Sequence, residues 1–358
     1  MSTEYHRPPV RVALMGLGRA MFADHYGVFR EHPGLFKVVA ACDLLKDRRD
    51  IVAADFPDCK MFRQFQDMLD ERDIDLVDIA SCSTDHAAHV MASLDRGFWT
   101  LVETPFALTM DEVQFIRGAA QKAKNRLMVM HRGMFDPDYL LARQVMDDPR
   151  LGEIHRICIK QEDFIRRDDW LTVKRLGGGA AYYAMPDLIM RALKLLPLPP
   201  VQMWSELKRV ASLGDAEDYA LLNLKTREQI SAEIEFNGAV LPGNRSPSYR
   251  LVGERGEFRV YPGQRTGKLC IIDPEFKFPR RRSSVRTPSM DDMHEDVPVV
   301  ELDVELSKHT EYGQSAFWRN IYETVRTAAP YPFTLDAAAD ALKFAQLMKK
   351  TSPFGSNK

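Results

Sequence analysis

The 358-residue sequence predicts an α/β protein of two domains: a parallel sheet covered by helices, then a mixed α/β domain with a large, mainly antiparallel open sheet. Length is the first reason, because one ordinary hydrophobic core does not accommodate so long a chain. Short apolar runs alternate with helical patterns up to about residue 130, and the pattern then becomes one of alternating strands. We place the domains at residues 1–130 and 131–358, with a C-terminal helix over about 335–349.

The strands of the first domain are predicted where short runs of Val, Ile, Leu and Ala carry apolar side chains on both faces. These runs are Val10–Met15, Lys37–Cys42, Leu76–Ser81, Trp99–Glu103 and Leu127–His131. Helical patterns lie between them, ending at about Arg30 and covering Asp85–Arg96 and about Met110–Lys124. This order is typical of βαβ units, in which helices cover both faces of a parallel sheet.

The strands of the second domain alternate apolar and polar residues, over His155–Phe164, Tyr219–Leu224 and Gln229–Phe236. In the last of these, Ile230, Ala232, Ile234 and Phe236 share one face. The opposite face is polar and free to meet solvent or a subunit, and we expect it to be buried in a homodimer or homotetramer. The glycines 177–179 open a helix that we predict to continue to about Leu196, where prolines end it. Residues 274–298 are charged and proline-rich, and are predicted to form a long surface loop.

Composition excludes several classes of function. The net charge of −2 creates no global field for nucleic acid or anionic membranes. The sequence holds no apolar run of about 18 residues, and its first residues lack the apolar core of a signal peptide. The five cysteines are scattered without C-x-x-C spacing, which indicates reduced thiols and no zinc site. We therefore expect a cytoplasmic protein whose partners are small molecules.

The motif Gly16-x-Gly18 falls between a predicted strand and a predicted helix. The first glycine permits a tight turn, and the second lets the backbone approach a pyrophosphate at the helix N-terminus. Asp43 ends the next strand, where its carboxylate can bind both ribose hydroxyls and repel a 2′-phosphate, so NAD is favoured over NADP. Lys46, Arg48 and Arg49 keep NADP open. The third motif position is Met21 where the pattern has Gly or Ala, and a plain strand-to-helix turn is the alternative interpretation.

Several motifs together resemble the glucose–fructose oxidoreductase / inositol dehydrogenase (Gfo/Idh/MocA) family. They are the glycine turn, Asp43, the strand Asp75–Ala80, His86, the run from Gly97 through Leu101-Val102-Glu103 to Pro105, and the glycine triplet 177–179. The resemblance implies a Rossmann domain, NAD(P)-dependent oxidation or reduction of sugars and cyclitols, and a substrate pocket between the domains beside the nicotinamide. It implies cofactor contacts from Gly16, Gly18, Arg19, Asp43, Ser81, His86, Glu103, Pro105 and Trp170.

Three positions that carry chemistry in this family are replaced here. The family has lysine where this chain has Thr104, and it has aspartate and histidine where this chain has Tyr183 and Asp187. Threonine does not ionise near neutral pH, so Thr104 can form hydrogen bonds but cannot act as a base. Tyr183 and Asp187 are one helical turn apart and are expected to face the same side of their helix.

We therefore expect an altered proton relay through Tyr183 and Asp187, with Thr104 bordering it and His131 as a helper. Lys174 and Arg175 are further candidate helpers. Structural interpretations stand beside these: Tyr183 as a packed tyrosine, and His131 as a hydrogen-bonded residue at a strand end. His86 can equally begin a helix without a chemical role, and Trp170 can equally anchor the surface.

Three hypotheses about function follow. The first is an NAD-dependent oxidoreductase that acts on a sugar, cyclitol or related polyol. The second is a catalytically silent NAD(H)-binding protein that serves as a subunit, sensor or scaffold. The third is a non-redox enzyme that uses tightly held NAD as a transient store of hydride.

Overall fold

The computed structural model describes residues 7–278 and 296–354, so part of the predicted 274–298 loop lies outside the described residues. Six strands form a parallel sheet in the order β3-β2-β1-β4-β5-β6. They are β1 Val10–Met15, β2 Phe36–Cys42, β3 Lys60–Phe62, β4 Leu76–Ile79, β5 Trp99–Val102 and β6 Leu127–Val129. This is the strand order of a dinucleotide-binding Rossmann fold, and it confirms the prediction for the first domain.

Five helices accompany this sheet: α1 Tyr26–Glu31, α2 Lys46–Asp55, α3 Phe65–Leu69, α4 Ser83–Asp95 and α5 Met110–Lys122. The first is preceded by a π-helical turn, Met21–His25, that the sequence pattern did not predict. Such turns are rare and are frequently found at functional sites. Met21 is fully buried in this turn, which explains how a large side chain is accommodated at the third position of the glycine motif.

Eight strands form the second sheet in the order β14-β13-β12-β11-β7-β10-β9-β8. All neighbours are antiparallel except β7 and β10, which confirms the predicted mixed, mainly antiparallel sheet. The strands are β7 Ile154–Glu162, β8 Pro200–Lys208, β9 Tyr219–Thr226, β10 Ser231–Asn237, β11 Tyr249–Gly253, β12 Gly256–Val260, β13 Thr266–Ile272 and β14 Val299–Glu305. One face is buried, as in Ile234 and Phe236, and the other is lined with charged side chains.

The remaining helices are α6 Pro137–Val145, α7 Ala180–Tyr183, α8 Met185–Leu195, α9 Gly313–Thr327 and α10 Leu335–Thr351. The prediction of a single helix after the glycine triplet is wrong, because the structure has two helices that are divided at Ala184. Pro186 is the physical reason, since proline lacks an N–H and its ring clashes with the preceding turn. None of the described helices combines the length and apolarity needed to cross a lipid bilayer.

Helix α9 packs against the first sheet, although about 180 residues separate it from that sheet's last strand. Trp318 is fully buried and makes edge-to-face contacts with Phe29 and Phe36, and Tyr322 contacts Phe36 in the same way. Such pairs add about 0.5–1.5 kcal/mol each beyond the burial of their area. The core of the first sheet is therefore completed by a segment from the last fifth of the chain.

Candidate functional site

A cavity of about 670 Å³ lies at the carboxyl ends of the strands in the first sheet and reaches the second domain. Parallel sheets bind ligands in this crevice, where the strand order reverses between β1 and β4. The lining includes the predicted cofactor contacts Gly16, Gly18, Arg19, Asp43, Ser81, His86, Glu103 and Trp170, together with Thr104, Tyr183 and Asp187. The two predicted sets thus share one cavity, except Pro105 and His131, which are not part of its lining.

The glycine turn needs its first glycine for two reasons. Gly16 has a φ of +85°, and a Cβ there would lie 2.6 Å from the backbone of Ser81. No other residue fits this close approach of two loops. Gly18 has open space around it, with Nη1 of Arg48 the nearest atom at 3.8 Å from a built Cβ. The turn is therefore a cradle of backbone that leaves room for a ligand.

Asp43 holds the two loops of the cofactor end together. Its Oδ2 accepts a hydrogen bond from the backbone N–H of Leu17 at 2.8 Å, and its Oδ1 accepts one from Leu45 at 2.8 Å. Nη1 of Arg48 lies 3.4 Å from Oδ2. Oδ1 retains a second lone pair, whereas Oδ2 also accepts the long hydrogen bond from Arg48. Asp43 can therefore bind ribose hydroxyls, with Arg48 as the nearest cation.

His86 and Pro105 hold the loops after β4 and β5 in place. Nδ1 of His86 lies 2.8 Å from the Pro105 carbonyl, and Nε2 lies 3.0 Å from the Ser81 carbonyl. The imidazole is 2% exposed, and its burial lowers its pKa. Both ring nitrogens face backbone carbonyls, and the neutral imidazole donates to one of them, so His86 acts on a ligand chiefly through the loops it joins. Pro105 contributes its carbonyl to this bridge.

Tyr183 lines the cavity from the second domain. Its ring packs edge-on against Phe236 at 5.4 Å, and the guanidinium of Arg167 lies 5.6 Å from its centroid. Burial raises the pKa of Tyr183 well above its ordinary value, and the charge of Arg167 opposes this only in part. Tyr183 is therefore a neutral phenol near pH 7, able to donate a proton but unsuited to act as a base.

Asp187 is paired with an arginine one turn further along α8. Nε of Arg191 donates to Oδ2 of Asp187 at 2.9 Å, with Nη2 also in contact, while Nη1 donates to Tyr249 at 3.1 Å. Burial alone would raise the pKa of Asp187, but Arg191 and the nearby His131 hold it well below its usual range. Asp187 is therefore a permanent anion, suited to accept hydrogen bonds from hydroxyl groups.

Gly133 creates the space for this arginine. A Cβ at residue 133 would lie 1.5 Å from Nη2 of Arg191 and 2.4 Å from Oδ2 of Asp187. The guanidinium therefore occupies the place of a missing side chain. Only the absence of a side chain at Gly133 allows the Asp187–Arg191 pair to form in its present position.

His131 lies behind the cavity, 1% exposed, with its Nδ1 3.4 Å from Oδ1 of Asp187. It is not part of the cavity lining and can influence a ligand only through Asp187, so the predicted helper can act only as a positioning residue. Lys174 is directed elsewhere, because its Nζ donates to the carbonyl of Phe354 at 2.6 Å. The predicted residues that reach the cavity are thus Thr104, Tyr183 and Asp187.

Sequence reasoning missed two parts of the site. One is Arg191, although its spacing of four residues from Asp187 was a usable signal. The other is a buried group behind Glu103, in which His25 lies between Asp78 and Glu103. His25 belongs to the unpredicted π-helical turn, and no local pattern pairs it with strand β4.

The fold and cavity define a class, the NAD-binding Rossmann oxidoreductases. Residues 10–131 match the model of the oxidoreductase family with an NAD-binding Rossmann fold, and residues 139–259 match the GFO/IDH/MocA C-terminal domain. The chain belongs to the GFO/IDH/MocA oxidoreductase family.

Relatives of established and unestablished activity are similar at low identity. The uncharacterized oxidoreductase YdgJ of Escherichia coli is 26% identical, over 70% of this chain and 71% of its own. The scyllo-inositol 2-dehydrogenase (NADP(+)) IolW of Bacillus subtilis is 22% identical, over 86% and 85%. A Schizosaccharomyces pombe oxidoreductase is 29% identical, and the match spans 53% of each chain.

Solved structures share the fold. An NAD-binding protein from Listeria innocua has a TM-score of 0.77 at 17% identity, covering 94% of this chain and 92% of its own. The WlbA dehydrogenase of Chromobacterium violaceum, in complex with NADH and UDP-GlcNAcA, has a TM-score of 0.75 at 18% identity, covering 97% and 94%. At these identities the likeness establishes the fold alone.

Proposed function

We propose that this chain is an NAD(H)-dependent oxidoreductase that transfers hydride to or from a hydroxyl-bearing carbon of a sugar, cyclitol or related polyol. The single observation that supports it most is that Asp43 and the glycine turn share one cavity with Tyr183 and Asp187. The cavity fits such a cofactor, because Gly16 allows the tight turn against Ser81 and Gly18 leaves open space where a pyrophosphate can approach the backbone. Relatives named as inositol dehydrogenases make the polyol class the natural substrate.

The residues of this chain divide the work between proton handling and binding. Asp43 and the glycine turn would hold the nicotinamide dinucleotide, which would supply or accept the hydride. Tyr183, a neutral phenol, donates a proton to the oxygen that develops negative charge during carbonyl reduction. Asp187, held as an anion by Arg191, accepts hydrogen bonds from neighbouring hydroxyl groups of the substrate. Thr104 contributes an uncharged hydroxyl group to the wall of the cavity.

Replacing Tyr183 with phenylalanine tests this assignment. The variant should lower the rate of NADH-dependent reduction by roughly 10²–10⁴-fold, because it removes the proton donor, while NADH affinity stays unchanged. Tyr182→Phe is the matched control, since the Tyr182 hydroxyl lies 3.4 Å from the Leu108 carbonyl and Tyr182 is outside the described lining. A Tyr183→Phe variant with the full rate would remove Tyr183 from the chemistry.

The cofactor preference is tested at Asp43. We propose that NAD(H) binds more tightly than NADP(H), because the buried carboxylate repels a 2′-phosphate. Asp43→Ala should narrow the preference, whereas Asp47→Ala, an exposed acid of the same neighbourhood, should leave it unchanged. Tighter binding of NADPH than of NADH by the unaltered protein would contradict the proposal. This comparison matters because one relative, IolW, is named as an NADP(+) enzyme.

A catalytically silent NAD(H)-binding protein is the second candidate. Its support is the charge pattern: Thr104 cannot ionise, Tyr183 is a poor base, and the Asp187 carboxylate is already paired with the Arg191 guanidinium. A screen of cyclitols, sugars and their keto forms, followed at 340 nm with NAD⁺ and NADH, separates the two. The silent protein would be favoured if the chain binds NADH but turns over none of these compounds. The Tyr183→Phe variant would then bind NADH like the unaltered protein and also show no turnover.

A further inference from the structure

A buried array of three charged side chains lies behind the cavity. Nδ1 of His25 is 2.8 Å from Oδ2 of Asp78, and Nε2 of His25 is 3.0 Å from Oε1 of Glu103. The side chains of His25 and Asp78 are fully buried, whereas that of Glu103 is 19% exposed and lines the cavity. Oε2 of Glu103 accepts the backbone N–H of Thr104 at 3.0 Å. The array therefore ends at the cavity wall beside Thr104.

The array carries a net negative charge. Burial alone would lower the pKa of His25, but Asp78 and Glu103 outweigh it and raise the pKa to about 10. For Glu103, burial alone would raise the pKa, yet the hydrogen bond and charge of His25 lower it. Oδ1 of Asp78 has no hydrogen-bond partner within the described parts of the chain. Burial raises the pKa of Asp78, opposed by the charge of His25. The two hydrogen bonds of His25 each hold one proton, so the imidazole and the two carboxylates share two protons and the array has a charge of −1.

The position of the array relates it to one end of a dinucleotide. Asp43 follows β2 and marks the adenosine side of the crevice, so the nicotinamide side lies across the strand reversal, at β4 and β5. Asp78 lies in β4, and Glu103 directly follows β5. Thr104 supplies no cation at this point. The negative charge is therefore not offset by a lysine next to Glu103.

We propose that the Glu103–His25–Asp78 array sets the preference of this site for oxidised over reduced nicotinamide cofactor. The oxidised ring is a cation and the reduced ring is neutral, so a nearby negative charge stabilises the oxidised form selectively. For two unit charges separated by on the order of 10 Å, an effective dielectric constant of about 20 makes the change in a binding constant roughly tenfold. The inference rests on the cofactor site of the proposed function, and it requires no turnover.

Equilibrium titration with NAD⁺ and with NADH, followed by calorimetry, tests the proposal. Glu103→Gln keeps the shape of the side chain and removes its charge. The ratio of the NAD⁺ dissociation constant to the NADH dissociation constant should rise roughly tenfold. Glu103→Asp keeps the charge and should hold the ratio within about threefold of the unaltered protein. Glu31→Gln, an exposed acid of α1, is the matched control and should leave the ratio unchanged, because solvent screens its charge.

Two results would overturn the proposal. One is an equal loss of affinity for both forms in Glu103→Gln, which would make Glu103 a contact without electrostatic selectivity. The other is a ratio unchanged by Glu103→Gln. If this variant does not fold, the double variant His25→Gln/Asp78→Asn decides, since it removes one positive and one negative charge and keeps the net −1. It should retain the ratio, and a change above about fivefold would refute control by net charge. Absence of polyol turnover leaves these binding measurements unaffected, so the two proposals fail separately.

Discussion

Replacing Lys349 with methionine is expected to weaken the contact that joins the last helix, α10, to the glycine triplet. Nζ of Lys349 donates to the carbonyl of Gly178 at 3.1 Å and lies 3.1 Å from Oε1 of Glu217. The Glu217 side chain is fully buried, and its Oε1 also accepts the backbone N–H of Ala181. Lys349→Met therefore leaves a buried carboxylate without its cation.

The magnitude follows from the burial of the two partners. Removing one member of a buried ion pair costs about 3–5 kcal/mol. The Lys349 side chain retains 13% exposure, which places the expected loss near the lower end, at about 3 kcal/mol. Urea unfolding followed by circular dichroism measures the loss. Glu217→Gln should cost less, about 1 kcal/mol, because the amide still accepts a hydrogen bond and Lys349 can turn toward water.

The double variant completes a mutant cycle. Lys349→Met/Glu217→Gln should be more stable than Lys349→Met alone, because no buried charge remains. The coupling between the two positions is then expected at about 1–3 kcal/mol. A Lys349→Met variant that loses less than about 1 kcal/mol, together with a coupling near zero, would show that the pair is solvated and would refute the reasoning.

Two further predictions concern packing and assembly. Gly133→Ala should displace Arg191 from Asp187 and lower the free energy of unfolding by about 1–3 kcal/mol, as measured by urea titration. Gly118→Ala is the control, because a Cβ there meets nothing within 4 Å, and it should leave the stability unchanged or raise it. The outer face of the second sheet should be buried in a homo-oligomer, so sedimentation at micromolar concentration should show a species larger than one chain. Trp204→Glu, on that face, should weaken the association between chains. Phe115→Glu, at an exposed residue of α5, should leave the association unchanged. A monomeric unaltered protein would contradict this prediction.

The hydrophobic periodicity of the sequence predicted the strands whose side chains follow a regular burial pattern. Val10–Met15 is buried on both faces, and the structure gives this strand the same bounds. The run 231–237 alternates buried and half-buried residues, as its sequence alternates apolar and polar ones. These patterns are local, because each strand's side chains report directly which face meets the core.

The parts that sequence did not predict depend on distant residues or on backbone strain. His25, Asp78 and Glu103 come from three separate segments, and only the sheet topology brings them together. The break at Ala184 depends on Pro186, whose effect on the preceding turn outweighed the helical spacing of its neighbours. The pairing of Asp187 with Arg191 needs the space at Gly133, which lies in a different segment.

The packing of α9 on the first sheet has a consequence for synthesis on the ribosome. Phe36 is made about 280 residues before its partner Trp318, which corresponds to roughly 14–56 s at about 5–20 residues per second. During that time the apolar face around Phe29 and Phe36 has no permanent cover. The nascent chain must therefore be protected from aggregation until α9 emerges, and a fragment that ends before Gly313 is expected to expose this face and require a chaperone.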